Sequence, residues 1–398
     1  MIERLRIVNA SVVLPDSVIN GDVLIENGKI AAIGTVQADV DIPTIDAQGG
    51  YVLAGFIDIH VHGGGNADFM DATPEAFETA VKAHLRYGTT LMTPTAMSAT
   101  EEDLTAFIKA YHEFKKQSLY AHLAYGLHME GPYFAGAGKL SSGAQPTDML
   151  RYPDMAEVER LMKVADGAIV RWDAAPELPD TDIFAKELVK RGVQVAVAHS
   201  DATAEETEQA YANGFSHVTH FYNEVSSQSK RAQNLRAGIV EATYLDDNVS
   251  VELIGDGCHI VKHDMALALK IKGPKKVAII TDAMRLAGTT LSEGKLGSLK
   301  NGTDCIVDDG VAKLLDMSSF AGSICTMERA LGVLCNDFGF DLPTASTMMS
   351  ATPASLLGCA DRKGTVAIGM DADLVVVDSS LRVRDVIVAG AHLHHSDM

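Results

Sequence analysis

Between residues 51 and 360 the chain alternates short apolar runs with amphipathic helical stretches, and the apolar runs keep ending in polar side chains able to do chemistry. Thr73 is placed to cap a helix with Pro74 at its first position, and Phe77, Val81 and Leu85 fall on one face of it. Gly88 ends that helix, and Thr89-Thr-Leu-Met-Thr reads as the next strand. Further on, Val193-Gln-Val-Ala-Val-Ala leads to His199. Thr203 and Glu206 then form the capping box of a helix that Gly214 stops, and His217-Val-Thr-His220 supplies another strand. Repeated βα units of this length call for a parallel sheet, and their number predicts an α/β fold of the (β/α)8, TIM-like barrel type.

The flanks have a different texture. Residues 1–50 read as short strands with turns at Asn20-Gly21 and Asn27-Gly28, and Asp22–Glu26 with Lys29–Ile33 forms a hairpin. Residues 361–398 return to the same pattern, with apolar strands at Val375–Asp378 and Val383–Val388. Both ends are therefore expected to build one small β-sandwich domain around the inserted barrel of residues 51–360.

With 47% hydrophobic and 22% charged residues in a chain of 398, a sizeable core can be buried. The formal charge of -20, from 33 basic and 53 acidic residues, makes nucleic acid or an anionic membrane a poor partner. An anionic small substrate would need a local positive pocket. The opening MIERLRIVNA carries charges where a signal peptide needs an apolar run, and no segment is apolar enough to span a bilayer. The five cysteines show no CxxC spacing and read as free thiols of a cytoplasmic protein.

In a barrel, catalytic side chains sit at the C-terminal ends of strands. Here Val52-Leu-Ala-Gly-Phe-Ile ends in Asp58-Ile-His60-Val-His62, and Ala124-Tyr-Gly-Leu-His-Met ends in Glu130. Two further runs end in His199 and His220, and Val277-Ala-Ile-Ile-Thr ends in Asp282. Strand alternation turns His60 and His62 to the same side. Four histidines and two carboxylates converging on one mouth suit one or two divalent cations such as zinc, with water in the open position. An isolated HxH is usually incidental, and a lone Asp after a strand is usually a helix cap; five such sites at the mouth together outweigh that bland reading. His84 and His112 read as packed or surface groups in helices. His128 lines the same face as Glu130 without ligating, and His392, His394 and His395 belong to a mobile tail.

His60-Val-His62-Gly-Gly-Gly, His128-Met-Glu130-Gly-Pro-Tyr, Ala198-His199-Ser200, Thr219-His220-Phe-Tyr-Asn223, Asp256-Gly-Cys-His259, Thr281-Asp282-Ala and Ala321-Gly-Ser323 stand in an order that resembles the N-acetylglucosamine-6-phosphate deacetylases of the amidohydrolase superfamily. The resemblance runs from about residue 50 to residue 325 and implies a metal-dependent deacetylase of an N-acetylated amino-sugar phosphate. It implies that Glu130, His199 and His220 hold the metal found throughout the family, and that His60 and His62 help hold a second one. It makes Asp282 the proton shuttle and His259 a contact to the sugar or acetyl carbonyl. Asn223 and Arg231 match positions that bind the phosphate, the arginine being supplied by the neighbouring subunit of a homodimer. Two departures bear on substrate. Glu224-Val225 follows Asn223 where many relatives have Ala-Met, and Gln145 stands where many carry histidine; its amide can donate a hydrogen bond but exchanges no proton. The galactosamine epimer, an unphosphorylated sugar or another N-acyl compound are the alternatives within this chemistry, and a non-catalytic scaffold is the alternative outside it. A serine or cysteine hydrolase is disfavoured by the absence of a GxSxG elbow.

Overall fold

A computed structural model describes residues 4–36, 42–136, 142–231 and 234–393, the side chain of Arg231 excepted. His394 and His395 lie outside the described residues, as does part of the loop between Pro132 and Gln145. Eight parallel strands stand side by side in chain order: β1 (Phe56–Val61), β2 (Thr89–Ala96), β3 (Leu127–Met129), β4 (Ile169–Ala174), β5 (Gln194–Val197), β6 (Phe215–Val218), β7 (Ser250–Ile254) and β8 (Val277–Ile280). The sheet closes between its two ends through Asp282 N to His60 O at 3.0 Å and His62 N to Ala283 O at 2.8 Å. Seven helices fill the connections: α1 (Pro74–Leu85), α2 (Glu101–Gln117), α3 (Met155–Ala165), α4 (Thr181–Lys190), α5 (Ala204–Ala212), α6 (Ile239–Leu245) and α7 (Lys262–Lys272). A further helix, α8 (Met327–Gly332), follows β8 after a long insertion. This is the (β/α)8 barrel that the strand–helix alternation predicts.

The local signals work for the reasons given. Thr73 accepts from Ala76 N at the start of α1, with Pro74 at its first position, and Thr203 and Glu206 cap α5 reciprocally. Phe77, Val81 and Leu85 are buried, and the Phe77 ring packs 4.8 Å from Phe69 and 5.6 Å from Phe107. His84 and His112 bond backbone carbonyls of Gly63 and Val164, as packed helix residues do.

The ends of the chain form one hydrogen-bonded sheet. Its order is Ala391–Leu393, Val383–Val388, Leu374–Val377, Tyr51–Ala54, Arg4–Leu14, Ser17–Glu26 and Lys29–Gly34, with Thr44–Asp46 also paired to Arg4–Leu14. Ile7, Val12, Val23, Val52, Leu374, Val376 and Ile387 belong to a core of its own. Three local expectations fail. His392 stands in the strand Ala391–Leu393 and bonds Asp385 Oδ1 at 2.8 Å, rather than in a mobile tail. The run Val52–Ile57 is two strands rather than one: Tyr51–Ala54 belongs to this sheet and β1 begins at Phe56. Gly55 makes the crossing, where a Cβ would come within 2.2 Å of Thr90 Oγ1. Asn20-Gly21 is strand rather than turn, because Gly21 is pressed against the Gly34 backbone, 2.7 Å from where its Cβ would stand. Asn27-Gly28 is a turn, with both residues left-handed (φ 52° and 77°) as a tight hairpin requires. Among the described residues no helix is long and apolar enough to cross a membrane.

Because Phe77 is fully enclosed by aromatic neighbours, Phe77→Ala is expected to destabilise the fold by about 3–5 kcal/mol. A lowered urea midpoint at unchanged slope is the readout, and a shift below about 1 kcal/mol would contradict the packing described here.

Candidate active site

The strand ends deliver their side chains to one mouth by an abrupt change in backbone. His199, His220 and Asp282 each stand two residues beyond a strand and adopt left-handed conformations, with φ of 45°, 29° and 49°. Such conformations cost about 1–3 kcal/mol each in non-glycine residues, and concentrate where geometry serves function. His60 and His62 need no such turn, because the extended end of β1 already directs both inward.

Six side chains meet there in two groups of three, His60–His62–Asp282 and Glu130–His199–His220. Glu130 stands between them. Its Oε1 lies 3.0 Å from both His199 Nε2 and His220 Nε2, and its Oε2 lies 3.3 Å from His62 Nε2 and 3.8 Å from His60 Nε2. Asp282 Oδ1 is 3.2 Å from His62 Nε2 and 3.5 Å from His60 Nε2. Within each group the paired imidazole nitrogens are 3.2 Å apart. Tetrahedral zinc with Zn–N bonds of about 2.0–2.1 Å places neighbouring nitrogens about 3.3 Å apart, so the donor set fits the ion.

Electrostatics agree with the geometry. Burial opposes charge on Glu130, Asp282, His60 and His62. Hydrogen bonds from His199, His220, His60 and His62 nevertheless hold Glu130 well below the usual carboxylate range, and His60 and His62 lower Asp282 likewise. The reciprocal pull of Asp282 and Glu130 raises both histidines of the HxH pair against burial, His62 to about 9. A cation entering this cage takes the place of those protons.

Five of the six, all but the fully buried His60, line a cavity of about 640 Å³. Gln145, Asn223 and His259 all line it. Gln145 Nε2 donates to Glu130 Oε2 at 2.9 Å, while its Oε1 accepts from Ser98 N at 3.0 Å; the second amide N–H is left for the cavity. Asn223 Nδ2 is buried and bonds none of the described residues. His259 is held through Nδ1 by Asp256 Oδ2 at 2.8 Å, and its ring packs 4.7 Å from Phe320. Arg231 ends the first strand of an exposed hairpin, Ser229–Arg231 with Asn234–Arg236, and its side chain lies outside the described residues. His128 is no ligand: it bonds Asp173 Oδ2 at 2.8 Å beneath the site, where burial and Arg171 push it down to about 4 and keep it neutral.

Two features escape sequence reasoning. The insertion after β8 folds into a three-stranded sheet (Glu293–Leu296, Thr303–Asp308, Val311–Leu314) that roofs the cavity with Asp308, Lys313, Met317 and Phe320. Asp309-Gly310 is the hairpin signal that could have found it. Beneath the mouth lies a buried polar layer of Arg171 and Asp173 from β4 and Glu252 from β7, visible in sequence only as charges within apolar strands.

The amidohydrolase family model matches residues 51–392. An N-acetylglucosamine-6-phosphate deacetylase of Lysinibacillus sphaericus is 32% identical over 373 residues, covering 93% of this chain and 92% of that protein. An N-acetylgalactosamine-6-phosphate deacetylase of Escherichia coli O157:H7 is 29% identical, covering 92% and 93%. The crystal structure of N-acetylglucosamine-6-phosphate deacetylase from Pasteurella multocida superposes with a TM-score of 0.90 at 27% identity, covering 98% of this chain and all of that one. A barrel with this mouth, matched along nearly its whole length, belongs to the amidohydrolase family.

Proposed function

We propose that this protein hydrolyses N-acetylglucosamine-6-phosphate to glucosamine-6-phosphate and acetate with one or two divalent ions per subunit, zinc being the best fit to four imidazoles and two carboxylates. The observation that carries this reading is Glu130, whose two oxygens face the two histidine pairs at the head of the cavity. It is joined by relatives named for removing acetyl from amino-sugar phosphates. A non-catalytic scaffold has no use for such a complete donor set.

Glu130, His199 and His220 would hold one ion, and His60, His62 and Asp282 a second. An ion bound here supplies Lewis-acid activation of water and of the amide carbonyl. Asp282, ionised and beside the HxH pair, takes a proton from the attacking water and returns it to the nitrogen as the C–N bond breaks. His259, fixed by Asp256, and the free N–H of Gln145 face the acetyl oxygen as its charge develops. Asn223, which lines the cavity, would take the phosphate, with Arg231 reaching in from the second subunit of a homodimer. Exposed Leu235 on the hairpin and Val261, Leu267 and Ile271 at α7 support such an interface. Five unpaired cysteines support a reducing, cytoplasmic setting. The galactosamine epimer is the second reading, because its E. coli relative aligns at nearly the same identity.

Glu130→Gln, His199→Ala and His220→Ala are each expected to lose bound metal and activity together. Elemental analysis of the purified variants reads this out, and full metal content with near-normal turnover in any one would refute the ligand assignment. Asp282→Asn should fold and lose at least about a hundredfold in kcat, the usual share of general acid–base catalysis. A smaller loss would mean that another base serves.

Acetate release across N-acetyl hexosamines, with and without the 6-phosphate, tests substrate. Arg231→Ala should raise KM for the phosphorylated sugar strongly and for its unphosphorylated analogue little, since arginine pairs bidentately with phosphate. Preference for the unphosphorylated sugar, with Arg231→Ala silent on both, would leave the deacetylase chemistry without its phosphate.

A further inference from the structure

Glu252 is wholly buried in β7, does not line the cavity, and yet touches the metal centre from below. Its Oε2 accepts from His60 Nδ1 at 3.2 Å and from the backbone N–H of His220 at 3.4 Å. Its position is in turn fixed by Arg171, which reaches it through both terminal nitrogens, Nη2 lying 3.2 Å from Oε2. Arg171 also donates to Asp173 Oδ1 and Thr219 Oγ1, each at 3.2 Å, so the guanidinium has little freedom to turn.

A neutral imidazole can carry its proton on either nitrogen, and only the nitrogen without it binds a cation. A carboxylate at Nδ1 settles the choice, leaving the Nε2 lone pair for the ion. His60 Nε2 is the atom that faces His62 and Asp282. The other ligands are held differently: His220 Nδ1 donates to the backbone carbonyl of Asn223, and His62 Nδ1 bonds none of the described residues. Within the HxH pair, then, the side-chain support for ligation falls on Glu252 alone among the described residues.

We propose that Glu252, clamped by Arg171, is a positioning residue for the ion at His60–His62–Asp282, selecting the Nδ1–H form of His60. It supports that ion specifically and contributes little to the one at Glu130–His199–His220. The inference rests on the two-ion reading of the site given above.

The test uses zinc and a competing chelator of known affinity. Wild-type protein should take up two ions. Glu252→Gln should weaken one of them by about 10–100-fold, the usual effect of removing such an outer partner, and leave the other near its wild-type affinity. The double variant R171Q/E252Q, which leaves no unpaired buried cation, should show the same split. Both ions at wild-type affinity in these variants, or equal loss of both, would overturn the proposal. Wild-type protein that takes up only one ion would also overturn the proposal, and wild-type protein that binds no zinc would instead overturn the reading of the whole site. Should neither variant fold, nitrogen-15 histidine spectra of zinc-loaded wild-type protein decide the matter, with His60 assigned by comparison with His60→Gln. A proton on Nδ1 of His60 supports the proposal, and a proton on Nε2 refutes it.

Discussion

The last strand of the barrel returns to the first along a single seam, and half of the candidate metal cage is built into that seam. Asp282 N bonds His60 O, and both His62 N and Gly63 N bond Ala283 O. Asp58 ties the same line together with its side chain, taking Thr281 Oγ1 on one oxygen at 2.5 Å and Thr281 N on the other at 3.3 Å. The spacing of His60, His62 and Asp282 is therefore a property of sheet hydrogen bonding rather than of flexible side chains. Anything that opens the barrel at this line also takes the cage apart. Glu130 then couples this half to the histidines of β5 and β6, so the cage spans most of the mouth through one carboxylate.

Much of this was legible in the chain because it depends on local rules. Alternation along a strand is enough to put His60 and His62 on one side, and polar residues ending apolar runs are enough to place Glu130, His199, His220 and Asp282 at the mouth. The layer below was not legible. Alternation along β4 puts Arg171 and Asp173 on one face, but only barrel curvature brings Glu252 of β7 into the same layer. The roof was missed for a different reason: its strands are short and mix apolar with charged residues, and they interrupt the expected βα rhythm after β8. Val52–Ile57 misled in the opposite direction, since a continuous apolar run carries no mark of the point where it leaves one sheet for another.

The charge distribution has a consistent pattern. A chain with formal charge -20 gathers Glu130, Glu224, Asp282 and Asp308 around one cavity, against Lys313 as the described non-histidine cation. Lys313 is itself paired with Asp308 at 2.6 Å. Divalent ions and the histidines offset the carboxylates at the head of the cavity, but the outer part stays acidic. Among the described residues, then, holding a phosphate there calls for positive charge beyond Lys313.

The strand Tyr51–Ala54 runs straight through Gly55 into the catalytic strand β1, and it is flanked in its sheet by Arg4–Leu14 on one side and Leu374–Val377 on the other. The first neighbour is made before this strand, and the second about 320 residues after it, from Ala54 to Leu374. At about 5–20 residues per second a ribosome needs tens of seconds to bridge that gap. Throughout this time the strand offers a bare row of peptide groups beside an apolar face, the kind of edge that recruits other chains. The whole barrel emerges in the interval, before its neighbour sheet can be sealed. Chain order thus makes these strands a late closure of the sheet, and truncation there would also strip Val375, Val377, Val383, Val386 and Val388 from the core they share with the barrel.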